Sequence, residues 1–128
     1  MIKRCLLGLL CCTFLLIAGC SGTTSSGSSG GYNISISSSQ SIVSTGGTAT
    51  FTAFVTDSSG NGVTDTTNKV SFSSQRGGTF SVGGTATNLV GPTGGYAQIL
   101  YTAPTSTGTN WITATYRSTN AACSITVN

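Results

Sequence analysis

From Tyr32 to Asn128, apolar and polar residues alternate with a period of two, in short runs set apart by turn residues. Ile34 and Ile36 alternate with serines. In residues 50–56, Phe51, Ala53 and Val55 share one face, and Thr50, Thr52, Phe54 and Thr56 share the other. The same beat recurs at Val70 and Phe72, at Ala97, Ile99 and Tyr101, at Ile112, Ala114 and Tyr116, and at Cys123, Ile125 and Val127. Successive side chains of a strand point to opposite faces, so this period predicts half-buried strands whose listed apolar residues form the core. Between the runs stand turn formers: Thr45-Gly46-Gly47, Asp57 to Gly62, Gly77-Gly78, Gly83-Gly84, Gly91 to Gly95 and Ala103-Pro104. No part of this region carries helical spacing. Six or seven short strands in about 97 residues predict an all-β sandwich.

The pattern changes completely upstream. Residues 5–18 are fourteen consecutive residues without a charge, mostly apolar, preceded by Lys3 and Arg4. A bilayer span needs roughly 20 apolar residues, so the run is short for an anchor and suits the apolar segment of a signal peptide. At its end, Ile17-Ala18-Gly19-Cys20 resembles the lipobox of bacterial lipoproteins: an aliphatic residue, two small ones, then cysteine. The resemblance implies cleavage before Cys20, a diacylglycerol on its sulfur and an acyl chain such as palmitate on its new amine. The small residues admit the peptidase, and only a thiol gives the thioether. Each buried methylene contributes about 0.8 kcal/mol, so two or more chains hold firmly to a membrane where one does not. With Ser21 rather than Asp after Cys20, the resemblance further implies, in enteric-type bacteria, export to the outer membrane. The expected organisation is a signal peptide over 1–19, lipidated Cys20 and a Ser/Gly tether over 20–31, and a sandwich domain over 32–128.

Composition narrows the chemistry. Only 5% of the residues are charged, against about a quarter in ordinary soluble domains. Without Lys3 and Arg4, the chain carries Lys69, Arg76 and Arg117 against Asp57 and Asp65. Three scattered cations make no nucleic-acid footprint. There is no histidine, and the two carboxylates fall in what reads as one turn region, so the sequence predicts no enzyme, no cofactor and no metal. Asp57-x-Ser59-x-Asn61-Gly62 has the donor spacing of half a calcium loop, but Asn68 stands where the bidentate Glu would be, and a turn is the better reading. Once Cys5, Cys11 and Cys12 leave with the signal and Cys20 takes lipid, the mature domain has one cysteine, Cys123, and no internal disulfide. Its alternation places it in the core.

The segments TATFTAFVTDSSGNGV, KVSFSS, GGTFS and GGYAQILYTAPTSTGTNWITATY resemble the bacterial Ig-like domains of intimin and invasin adhesins, over residues 33–127. The most specific parts are Asp57 to Val63 and Gly95 to Pro104. The resemblance implies an Ig-like Greek-key β-sandwich of about seven strands. Two departures stand out: a single unit where the family has tandem ones, and the insert Thr64-Asp65-Thr66-Thr67-Asn68. In those adhesins the Ig-like units act mostly as spacers, so the likeness bears on fold more than on function. The expected function is non-enzymatic: a lipid-anchored envelope protein for adhesion, structural support or protein binding. The alternatives are an accessory subunit of a surface or secretion assembly, and a carbohydrate-binding module. The candidate binding patch is Trp111, Leu100 and Phe54, which have outward parity. If Ala103 and Asn110 close a hairpin, Trp111 lies across from Thr102 and diagonal to Leu100. The expected partners are a membrane, through Cys20, and an unidentified protein or surface glycan.

Overall fold

The computed structural model describes residues 26–128; the signal-like run, Ile17, Ala18, Gly19 and Cys20 lie outside the described residues. Two sheets pack face to face. The first runs, edge to edge, β1 (Ser26–Ser29), β2 (Tyr32–Ser38), β4 (Thr48–Asp57), β9 (Tyr96–Thr102), β6 (Thr79–Val82) and β7 (Thr85–Ala86). The second runs β3 (Ile42–Val43), β11 (Thr119–Val127), β10 (Gly108–Tyr116), β5 (Val70–Ser74) and β8 (Leu89–Val90). Every pairing is antiparallel except that of β3 with β11. The order β2-β4-β9-β6 against β11-β10-β5 is the ABED and GFC arrangement of an Ig-like Greek-key sandwich. Among the described residues there are eleven strands rather than about seven. The surplus comes from β1, β3, β7 and β8, pieces of two to four residues too short to show an alternation.

The alternation read from the sequence is the alternation of burial. Phe51, Ala53 and Val55 of β4, Ala97, Ile99 and Tyr101 of β9, Ile112, Ala114 and Tyr116 of β10, and Cys123, Ile125 and Val127 of β11 are all buried between the sheets. Removing such side chains from water is the main stabilising term, about 1.5–3 kcal/mol for each large apolar residue. At one end Phe51 meets Tyr101 edge-on at 5.8 Å, and Phe80 closes the layer 5.2 Å from the same ring.

Residues 26–31 depart from the expected tether. They form β1 and a glycine turn, with Ser26 to Ser29 paired to Ser35 to Tyr32. Composition alone reads this stretch as coil. The long edge of β2 offers it a ladder of backbone groups, and the sequence is free of anything too bulky to dock there. Gly27 shows how close the fit is: a Cβ at that position would collide with the carbonyl oxygen of Asn120 on β11. β1 therefore lies along the seam where the two sheets meet.

Candidate functional site

The expected patch does not assemble. β9 and β10 lie in different sheets, so residues 103–107 form a crossover between sheets rather than a hairpin. Trp111 faces Ser124 on the outer surface of the second sheet, while Thr102 faces Thr48 and Thr79 in the first. Leu100 lies on the outer surface of that first sheet, on the far side of the sandwich from Trp111. The cause is visible at the inner positions. Asn110 and Tyr101 meet across the core, with the Asn110 amide donating to the Tyr101 hydroxyl at 2.6 Å. Residues that meet through the middle of a sandwich cannot also be neighbours within one sheet. Phe54 and Leu100 do share an outer face, but they are apart along it. Phe54 stacks obliquely on Tyr96, ring centroids 4.7 Å apart, whereas Leu100 stands opposite Thr50 and Ser81. Tyr96, 57% exposed, is a more open aromatic than any of the three expected residues.

A different cluster forms at the end of the sandwich where β2 begins and β10 ends. It is built on Thr64 to Asn68, the insert noted in the sequence. The Asp65 N–H donates to the Pro92 carbonyl, and the Gly94 N–H donates to Thr64 Oγ1, which fixes the insert against the loop before β9. Asp65 Oδ1 accepts the backbone N–H groups of Thr67 and Asn68, each at 2.9 Å. Its Oδ2 accepts the Asn68 side-chain amide at 2.8 Å and the Tyr116 hydroxyl at 2.7 Å. Arg117 Nη2 lies 3.5 Å from the same oxygen, the one ion pair among the described residues. The two carboxylates of the sequence thus belong to two separate structures. Asp57 accepts the N–H groups of Ser59 and Asn61 and shapes the turn after β4.

This carboxylate is held ionised. The Asn68 backbone N–H, then the Tyr116 hydroxyl and the Asn68 amide, keep Asp65 well below the usual carboxylate range. Tyr116 is pushed up, first by burial and then by its bond to Asp65. Asp57 is lowered chiefly by the Asn61 backbone N–H. The Arg117 guanidinium also lies over two rings, 4.9 Å from the centroid of Tyr32 and 5.7 Å from that of Tyr116. Tyr32 and Tyr116 meet edge-on at 5.3 Å. Arg117 opens the two-residue turn between β10 and β11 with φ of +52°, the one positive value for a non-glycine among the described residues. Such turns need a positive φ at this position and usually take glycine. Here the ring contacts and the ion pair hold an arginine in that conformation.

Beside the cluster lies an open groove of about 560 Å³, lined by Thr67, Asn68, Lys69, Ser71, Leu89, Thr115 and Arg117. Its floor is the outer face of β5 and β10, and its rim is β8. Sequence reasoning missed it. By sequence Lys69, Asn68 and Asp65 read only as one of three scattered cations, a failed calcium position and a turn residue. The one available signal was the insert itself, because an insertion that departs from a repeated scaffold is where a site is grafted. Among the described residues no three of His, Cys, Asp and Glu come together to hold a metal.

No family model matches the sequence, and no curated protein matches it either. Among solved structures, the chain is similar to one titled "ZirS C-terminal Domain", at 21% identity, covering 85% of this chain and 70% of that one, with a TM-score of 0.47.

Proposed function

We propose that the protein is a non-enzymatic, lipid-anchored component of the bacterial cell envelope, held by acylated Cys20, whose Ig-like sandwich serves as a binding module. One observation supports this reading above the others: the direction of β1. The strand runs from Ser26, beside Ser35, to Ser29, beside Tyr32, so the chain enters it heading toward the end that carries Arg117. The strand's first residue, Ser26, therefore lies nearer than Ser29 to the opposite end, where Asn128 and the loop of Ser39 to Gly47 lie. Five residues separate Cys20 from β1, a reach of at most about 20 Å. An anchor at Cys20 places the C-terminal end of the sandwich toward the membrane and turns the Asp65–Arg117 end outward, where a partner can reach it.

Mass spectrometry of the native protein tests the anchor. The expected mature chain begins at Cys20 and carries a diacylglyceryl thioether and an amide-linked acyl chain. A chain that begins elsewhere, or a Cys20 without lipid, overturns the reading.

A further inference from the structure

We propose that the groove between Lys69 and Arg117 binds an acidic saccharide, a hydroxyl-rich chain bearing carboxylates. The inference rests on the binding-module reading but not on the lipid, since the groove lies within the sandwich itself.

Charge is the first argument. This chain is poor in cations, and among the described residues only Lys69, Arg76 and Arg117 carry one. Two of these three line one groove. The only carboxylate beside them, Asp65, is already occupied by Thr67, Asn68 and Tyr116 as well as Arg117. Its contact with Arg117 engages one corner of a guanidinium that has five N–H donors and is 45% exposed. The groove is thus left with positive charge and spare donors.

The lining is the second argument. Thr67, Ser71 and Thr115 offer hydroxyls, Asn68 offers an amide, and Leu89 is the single apolar side chain. Hydroxyls that donate and accept suit sugar hydroxyls, and the cations suit a carboxylate. An extended peptide would pair instead with a sheet edge, but the edge here is β8, two residues long. A volume of about 560 Å³ is within the range of small-ligand sites and fits two or three sugar rings. The positioning is rigid at two points: Arg117 is held by Tyr32, Tyr116 and Asp65, and Thr115 and Ser71 face each other across paired strands.

The test is an NMR titration of the full chain in detergent micelles with a galacturonate trisaccharide, up to about 10 mM. Galactotriose, hexaglutamate peptide and inorganic phosphate serve as competitors in chemistry. The expected result is saturable shifts confined to Thr67 to Ser71, Leu89, Thr115 and Arg117. Affinity should fall at least fivefold for the neutral sugar, and should weaken further as salt rises from about 20 to about 200 mM. Arg117→Gln should abolish binding but also removes a contact of the β10–β11 turn. Lys69→Gln, at an exposed residue, is the cleaner variant, and is expected to weaken binding about threefold to fivefold without changing the fold. No localised shifts, equal binding of galactotriose, or an unchanged affinity in Lys69→Gln overturns the proposal. Hexaglutamate or phosphate binding as tightly as the uronate also overturns it, in favour of a general anion site. None of these outcomes depends on the mass of the mature N-terminus, so failure here and failure of the envelope reading are separate results.

Discussion

Two tyrosine hydroxyls, at opposite ends of the same sandwich, anchor two polar clusters of different kinds. At the C-terminal end Tyr101 donates to the Gly77 carbonyl at 2.8 Å and accepts from Asn110, whose amide also reaches Ser74 and whose oxygen takes the Arg76 N–H. Everything in that network is neutral in the atoms used, and Asn110 is almost wholly buried. At the other end Tyr116 donates to an ionised Asp65 beside an exposed Arg117, at the lip of a groove. Low dielectric makes the first network costly to disturb. Solvent and charge make the second tolerant of change but responsive to pH, salt and ligands. One end is built to hold the sandwich shut. The other is charged and open to solvent.

The largest expected effect breaks the first cluster. Asn110→Ala leaves the Arg76 N–H without its partner and takes one bond each from the Tyr101 and Ser74 hydroxyls, which keep only Gly77, and should cost about 3 kcal/mol in urea unfolding. A loss below about 1 kcal/mol would show that the network adds little to stability. Next comes the glycine pair beside it. Gly78 has φ of +98°, and a Cβ there would lie 2.5 Å from Tyr101 Cε2 and 2.6 Å from the Thr102 oxygen. Gly77 has φ of +87° and open space around it. Gly78→Ala should therefore cost about 2 kcal/mol or more, and Gly77→Ala about 1, the difference reporting packing rather than backbone strain. Equal losses would remove the packing argument.

The second cluster should answer to acid instead. The folded-state pKa of Asp65 is depressed, so its contribution is fully present above the unfolded Asp value of about 4 and is lost as pH falls toward the folded value. Unfolding free energy measured from neutral pH downward should decline below that point. Asp65→Asn should flatten the decline, leaving a residual slope from Asp57, which is also lowered. Tyr116→Phe should raise the Asp65 carboxyl pKa seen by carbon NMR toward the ordinary range. Asn110→Ala should leave the acid slope as it is; a changed slope would mean the two ends are coupled. The smallest expected effect is that of Trp111→Ala, a surface residue facing Ser124, at under about 1 kcal/mol.

Much of the sandwich was legible in the chain. Phe51, Ala53 and Val55, or Cys123, Ile125 and Val127, disclose their buried face by parity alone, because a strand leaves each side chain only two directions. Parity does not disclose neighbours. It placed Trp111 and Leu100 outside the core correctly, and still put them on one surface when they stand on opposite ones. It had nothing to say about Ser26 to Ser29, where neither face is apolar and the strand exists because β2 had an open edge. Nor could it join Asp65 to Tyr116, 51 residues later: in the sequence one is a turn former and the other a core aromatic.

What the sequence determined by itself is the class of fold and the buried set, since each rests on residues within a few positions of one another. Only the tertiary structure decided which strands share a sheet, which end of the sandwich holds the charges and that Lys69 and Arg117 face one groove. The reason is reach. Periodicity is a local property of the backbone, whereas a site is made by side chains whose separation depends on how two sheets are stacked and on which crossover joins them.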